Sequence, residues 1–262
     1  MLRFALSVFL LLNATRALTQ NIPAGDPLAV SLALKSVAAL TGGVSVSDVT
    51  LNATVISILG SDNETGTGTF QAKGTEESRV DLNLGGGTRT DVRSTANGMP
   101  VAAWSKNDSV TPTAYAQHNN WTDAVWFFPP LSSLTQTTNL SFSFSYIGLE
   151  QHGGMTVQHI HVFQTTPTAG KDLFTAKRLS SMDFYLDPVS YLPLAISFNT
   201  HADNDLTIDI PVEIRFAKYQ VVNGIQVPFH VQKMLNGGVV LDITVTSAAL
   251  NSGLSDSSFT LQ

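Results

Sequence analysis

Residues 208–216 read IDIPVEIRF and residues 225–231 read IQVPFHV. Apolar and polar side chains alternate in both stretches, which is the period of a β-strand with one buried and one solvated face. The same alternation is present in residues 182–186, 192–198 and 239–245. Five such segments joined by short turns predict an antiparallel meander whose apolar side chains all lie on one face. The function of the chain then depends on what covers this apolar face.

More strands are predicted on the N-terminal side of these five. Alternating segments separated by glycine or asparagine turns occupy residues 49–59, 66–73, 78–84, 88–95, 99–105, 140–149 and 155–163. Together the segments predict one sheet of about ten to twelve strands, with residues 60–68 as a polar hairpin tip. Pro193, Pro211 and Pro228 fall inside predicted strands. Proline within a strand is confined to edges and bulges, so we expect a strongly curved sheet that contains bulges.

One helix is predicted before the first strand. Asp26 is a good N-cap and Pro27 suits the first helical position, ahead of an apolar stripe in residues 28–40. Gly42 ends the helix. Residues 171–176 are predicted to be a loop or a short helix. Two or three helices therefore accompany the sheet, and we expect them to cover its apolar face.

The most aromatic part of the chain interrupts the strands at residues 111–134. It predicts a helical turn at residues 115–120 and a second helix that opens at residue 121, contains Trp126, Phe127 and Phe128, and is broken by two prolines. Two interpretations are open. The segment is a plug that completes the core, or it is a plug that also acts as a movable lid.

Composition excludes several functions and suggests a compartment. Hydrophobic residues make up 43% of the 262-residue chain and its formal net charge is -6, which argues against nucleic acid as a partner and against electrostatic docking on anionic lipid. The absence of cysteine excludes disulfides, thiol catalysis and thiolate metal sites. Residues 1–17 predict a secretory signal peptide, followed by a single domain over residues 18–262. We expect an exported protein, periplasmic or secreted, that is soluble after cleavage.

The chain contains no familiar catalytic motif. Nucleophile elbows, metalloprotease helices, phosphate-binding loops and dinucleotide fingerprints are all absent from the sequence. His159 and His161 would point to one side of a strand, but the spacing identifies no third metal ligand, and two histidines at a polar edge is the favoured interpretation. Asp209 and Glu213 lie on one face about 13 Å apart, which suggests a solvated face more than a hydrolase. No catalytic residue, metal or cofactor is predicted.

Four groups of residues resemble motifs of one family. The first is an apolar strand, an aspartate-proline turn and a return strand, and the second is an F-x-x-Y hairpin with a later glycine and proline. The third is a G-x-E hairpin that leads to a histidine, and the fourth is the chain end. They occupy residues 182–194, 214–228, 148–159 and 250–259 respectively. The chain is similar in these motifs, and in the order of its elements, to the periplasmic lipoprotein carriers and their relatives, the LolA/LolB/RseB-like superfamily.

The resemblance implies an α+β fold in which an open half-barrel has helices on its concave side. It also implies a hydrophobic cavity for acyl chains, no catalysis and no cofactor. We therefore expect a carrier or chaperone-like protein that binds an acyl chain or a lipidated protein, with transient membrane contact compatible with that role. The alternative is a protein-interaction or sensor domain of the same fold without cargo, and a carboxylate-dependent hydrolase is a remote third. The predicted apolar lining is Trp126, Phe127, Phe128, Phe184, Phe198, Phe216 and Phe229.

Overall fold

The computed structural model describes residues 25–107, 111–165 and 173–260. Within them the chain forms one open antiparallel sheet of thirteen strands and two α-helices. This confirms the predicted fold class, with one strand more than expected because a two-residue strand follows β5. The predicted signal peptide at residues 1–17 lies outside the described residues. The strands are β1 (Asp48–Leu59), β2 (Asp62–Lys73), β3 (Glu77–Leu84), β4 (Gly87–Ala96), β5 (Met99–Lys106), β6 (Thr113–Ala114), β7 (Phe142–His152), β8 (Met155–Gln164), β9 (Met182–Leu186), β10 (Pro193–Ala202), β11 (Asp205–Val222), β12 (Ile225–Leu235) and β13 (Gly238–Leu250).

The sheet consists of two meanders joined along one seam. Strands β1 to β6 follow each other in space, as do β7 to β13, and β1 pairs with β13 to join the two halves. The edge strands are therefore β6 and β7, which are consecutive in the chain. Residues 115–141 connect them and must pass from one edge of the sheet to the other. We call these residues the crossing segment.

The first helix, α1 (Pro27–Thr41), has the predicted caps. The Asp26 carboxylate accepts a hydrogen bond from the Leu28 backbone N–H at 2.9 Å, and Gly42 ends the helix in the left-handed conformation with φ 58°. The second helix, α2 (Leu173–Ser180), is longer than expected. It lies on the face of the sheet opposite to the apolar face that α1 covers. There the Lys177 ammonium sits 4.9 Å from the ring centroid of Phe163. Of the two α-helices, only α1 covers the apolar face, and the crossing segment supplies the rest of the cover.

The crossing segment contains three single 3₁₀ turns, at Gln117–Asn119, Pro129–Leu131 and Ser133–Thr135. The α-helix predicted to open at residue 121 is wrong, because residues 124–127 form turns instead. Phe128 precedes a proline and is extended, with φ −138° and ψ 91°, as the bulk of the proline ring requires. The segment is nevertheless buried over most of residues 125–134.

The apolar face of the sheet, α1 and the crossing segment share one hydrophobic core. Register shifts interrupt five strand pairings, including one between Pro193 and Ala195. Shifts of this kind increase twist and bend a sheet. One expectation about a turn is wrong: residues 60–68 do not form a long polar tip, because β2 already begins at Asp62 and pairs with β1 along its whole length.

Candidate ligand site in the concave face

The seven aromatic residues predicted to line a ligand cavity lie in one core. Trp126, Phe127, Phe128, Phe184 and Phe216 are buried, and Phe198 and Phe229 are partly buried against the same cluster. Phe70 on β2 packs edge-on against Trp126 and Phe127, with ring centroids 6.2 and 5.4 Å apart. The crossing segment therefore sits on the apolar face, which we call the concave face. That the seven aromatic residues line a ligand site stays a prediction.

A cavity of about 540 Å³ lies beside this core, between the two edge regions of the sheet. Its wall combines residues of β4 and β5 with residues of β7 and β8, which lie at opposite edges of the sheet. The sheet is therefore curled enough for its two edges to approach one another. The crossing segment lines the cavity with residues 120–124 and with Ser133, Gln136, Asn139 and Ser141. None of the seven predicted aromatic residues is part of this wall.

Asp123 is the ionisable group of the crossing segment in this cavity. Its carboxylate accepts a hydrogen bond from the Ser133 backbone N–H at 3.0 Å. Burial raises the pKa of Asp123 to about 7, far above its ordinary 3.8, and the Ser133 hydrogen bond and the charge of Arg93 oppose this only in part. One further polar atom of a wall residue, Asn120 Oδ1, is shielded from solvent and has no hydrogen-bond partner. The cavity wall therefore combines a buried carboxyl and an incompletely satisfied amide with an adjacent apolar core.

Five hydrogen bonds hold residues 119–124 to the sheet, one of them from the Asp123 backbone N–H to Met182 Sδ at 3.2 Å. The Asn119 side-chain amide pairs with the His201 backbone, donating to its carbonyl and accepting from its N–H, both at 2.8 Å. The Ser78 hydroxyl on β3 donates to the Ala124 carbonyl at 2.8 Å. The Gln164 amide on β8 donates to the Trp121 carbonyl at 3.1 Å. Polar contacts therefore anchor residues 119–124, whereas apolar burial holds the residues that follow.

Strand β4 places charged side chains on the concave face. In its register Arg93 lies opposite Ser78, whose hydroxyl reaches the crossing segment, and Asp91 and Arg89 follow at two-residue steps on the same side. Arg89 contacts the Asp91 carboxylate at 2.8 and 3.2 Å. Tyr115 Oη also donates to Asp91. Burial alone would raise the pKa of Asp91, but the hydrogen bond and charge of Arg89 bring it below its ordinary value. Arg89 and Asp91 therefore neutralise each other.

Arg93 and Lys233 are the two concave cations without a carboxylate partner among the described residues. Arg93 Nη1 is shielded from solvent and makes no hydrogen bond. Lys233, on β12, holds its ammonium 4.7 Å from the ring centroid of Trp126. Burial, and next the charge of Arg93, lowers the pKa of Lys233 to about 8. In a flat sheet β4 and β12 would be about 24 Å apart, five strand spacings. Their electrostatic interaction is further evidence of curvature.

His159 and His161 point to the same side of β8, as expected, and this is the convex face. Both rings contact one carboxylate oxygen of Asp183 at 2.8 Å, and His159 also lies 3.0 Å from Glu150. Burial would lower the pKa of His159, but the hydrogen bond and charge of Asp183 raise it overall. Burial would raise the pKa of Asp183, and the two histidines hold it well below its ordinary value. In the described part of the chain no group of three such residues has the geometry of a metal site.

The two carboxylates considered for hydrolysis are held in separate ion pairs. Asp209 contacts Arg178 at 2.6 Å, and Glu213 contacts Arg215 at 2.5 Å. His152 lies 3.3 Å from Glu213. Each carboxylate therefore has its own cationic neighbour, and the two do not share a common site.

Membrane-spanning helices were sought in the described ranges, and none is long and apolar enough to cross a bilayer. No protein-family model and no curated protein matches the sequence. Solved structures do resemble it. One is a domain described as an outer membrane lipoprotein-sorting protein from Vibrio parahaemolyticus, with a TM-score of 0.59 and 12% identity over 89% of this chain and 96% of that one.

A DUF1329 family protein from Desulfovibrio piger has a TM-score of 0.57 and 13% identity, over 90% of this chain and 98% of that one. A LolA superfamily protein from Nitrosomonas europaea has a TM-score of 0.49 and 11% identity, over 88% and 97%. At these identities the first two comparisons establish the fold alone. The resemblance drawn from the sequence motifs is confirmed at that level.

Proposed function

We propose that this chain, whose fold is that of the lipoprotein-sorting proteins, binds a hydrophobic ligand on its concave face as a non-catalytic carrier or chaperone. The ligand class is an acyl chain, free or attached to a protein, and the protein acts after export. The observation that carries the proposal is the nature of the cover. A continuous apolar sheet face is closed by an irregular segment of single 3₁₀ turns, beside a cavity of about 540 Å³.

The energetics allow part of this cover to move. Burying an alkyl chain contributes about 0.8 kcal/mol per CH₂, or roughly 9 kcal/mol for a twelve-carbon chain. Each hydrogen bond that anchors residues 119–124 contributes about 0.5–1.5 kcal/mol net. Releasing these anchors therefore costs less than the gross gain from the ligand. Phe127 and Phe128 are 1% and 0% exposed, so we expect them to stay in the core while the preceding residues open.

The proposal is tested by fastening the crossing segment to the sheet. The chain has no cysteine, so Ser78→Cys with Ala124→Cys introduces the only two thiols, where the Ser78 hydroxyl now contacts Ala124. We expect saturable binding of a fluorescent fatty acid to the wild type and to the reduced variant, and its loss in the oxidised variant. Ser78→Cys alone is the control, because it cannot form the intramolecular bond.

The alternative function has its own supporting observation. Five of the seven predicted lining residues are buried by the chain's own packing. This is what we expect of a hydrophobic core that stabilises the fold and binds no ligand. In that case the wild type would show no saturable binding, and native mass spectrometry of protein purified without detergent would show no lipid. Either result would favour an interaction or sensor domain.

A further inference from the structure

Two cations face the concave side of a chain that is acidic overall. The formal net charge is -6, and only 14 lysines and arginines are present. Arg93 on β4 and Lys233 on β12 both point to the concave face, yet neither has a carboxylate partner among the described residues. A guanidinium taken out of water without a partner is costly, since the full desolvation penalty remains. Buried cations without a carboxylate partner are typical of an anion-binding site.

The neighbouring charges do not compensate these two cations. The charge of Asp91 acts on both of them, but Asp91 is hydrogen-bonded to Arg89, whose positive charge offsets it. Asp123 interacts with Arg93 across space, but no hydrogen bond joins them. Burial keeps the pKa of the Asp123 carboxyl near 7, so about half of it is neutral at that pH. The concave face therefore carries a surplus of positive charge.

The cavity gives an anion access to this surplus. Thr95 lies two residues after Arg93 on the same side of β4 and is part of the cavity wall. Two residues of a strand span about 7 Å, so the backbone of Arg93 lies about 7 Å from that of Thr95 in the cavity wall. Lys233 lies over Trp126, in the apolar core that would bury an alkyl chain. The two cations therefore lie next to the apolar core that would bury an alkyl chain.

We infer that Arg93 and Lys233 recognise the anionic headgroup, carboxylate or phosphate, of an amphiphile whose alkyl chain is buried in the concave core. This deepens the proposed function and rests on it. Arg93 presents the planar fork that matches a carboxylate or phosphate, and Lys233 adds a point charge. Neutral amphiphiles of equal chain length lack this contact and bind more weakly.

The test compares three twelve-carbon amphiphiles by isothermal titration calorimetry below their micelle concentrations: dodecanoate, dodecyl phosphate and dodecanol. We expect at least one anion to bind wild-type protein about tenfold or more tightly than dodecanol, since a hydrogen bond to a charged group is worth about that factor. The tighter of the two anions identifies the headgroup. Arg93→Gln and Lys233→Met should each reduce the preference for the anion and leave dodecanol binding within a factor of about two.

Two further variants serve as controls. Arg215→Gln removes a guanidinium from the convex face, where it pairs with Glu213, and should keep the anion preference. Asp123→Asn removes one of the two carboxylates whose charge acts on Arg93 and should keep or increase the anion preference. Urea unfolding of each variant verifies that it is folded.

The outcomes separate the two proposals. If dodecanol and both anions bind wild-type protein equally, the headgroup inference is wrong and the hydrophobic site stands. If anion preference survives in Arg93→Gln and Lys233→Met alike, the inference is also wrong. If none of the three amphiphiles binds, the proposed function itself fails.

Discussion

Asp123→Asn is the substitution whose effect on stability is best defined by the structure. The folded-state pKa of Asp123 is about 7 and its ordinary value is 3.8. A carboxyl whose pKa is raised by folding destabilises the protein when it is ionised. The penalty is absent below pH 3.8, grows by about 1.4 kcal/mol per pH unit, and levels off above pH 7. The whole interval corresponds to roughly 4 kcal/mol at most, and water in the cavity would reduce this to about 2 kcal/mol.

Asparagine keeps the oxygen that accepts from the Ser133 backbone N–H and removes the charge. We therefore expect Asp123→Asn to be about 2 kcal/mol more stable than wild type at pH 8.5 and nearly equal to it at pH 4.5. Urea unfolding followed by tryptophan fluorescence at both values measures the difference. Asp203→Asn, at an exposed turn, is the matched control and should change the free energy of unfolding by less than about 0.5 kcal/mol. A variant that is less stable than wild type at pH 8.5 would refute the assignment of a buried, poorly solvated carboxyl.

Three other substitutions test separate parts of the structure. Asp183→Asn should lower the pKa of His159 in an NMR titration and cost about 1–2 kcal/mol at pH 5.5 but less at pH 8.5. This sign follows because a raised histidine pKa stabilises the fold below 6.5 and the gain disappears as pH rises through the folded pKa. Phe184→Ala should lower the free energy of unfolding by about 3–5 kcal/mol, whereas Val189→Ala, at an 84% exposed side chain, should change it by less than about 0.5 kcal/mol. Asp48→Ala removes the acceptor of the Ser252 and Gly253 N–H groups, so hydrogen exchange should speed up over residues 251–260 and the cost should be about 1–3 kcal/mol; unchanged exchange there would contradict that role.

The meander could be predicted because its strands are solvated on one face. In β11 the buried residues Val212, Ile214 and Phe216 recur at every second position, and Ile225, Val227 and Val231 keep the same phase in β12. That pattern is set by side chains alone. The motif resemblance added the open half-barrel. The number of strands was underestimated only by β6, because two residues are too few to show a period. The caps of α1 were predictable for the same local reason, since Asp26 and Pro27 act on their own helix end.

The crossing segment could not be predicted because its conformation depends on distant partners. Aromatic residues in sequence suggested a helix, but the two prolines and the contacts of Asn119 with β10 impose turns instead. The predicted aromatic lining was placed in the core, but sequence gave no sign of the cavity beside it. That cavity depends on the approach of two sheet edges.

Arg93 and Lys233 could not be predicted as concave residues, because the sequence of β4 does not show which of its two faces is concave. In β4 the charged residues Arg89, Asp91 and Arg93 alternate with Thr90 and Val92, which suggests that the charged side is solvated. In the structure Thr90 and Val92 are the buried residues of the opposite face, where the C-terminal turn Asp256–Phe259 packs on β3 and β4. A strand covered on both faces does not reveal which face is concave. Only its pairing with β3 does so, because Ser78 lies opposite Arg93.

Topology decides which part of the cover can move. Because β6 and β7 are consecutive strands at opposite edges, the crossing segment is joined to both edges of the half-barrel. Residues 125–134 are buried and held by apolar contacts, so displacing them would expose the core itself. Residues 119–124 are held by a few hydrogen bonds, border the cavity and contain Asp123. An opening there would bring a ligand headgroup to the neighbourhood of Arg93 while its alkyl chain reaches the core, so the lid and the anion site are expected to be the same place.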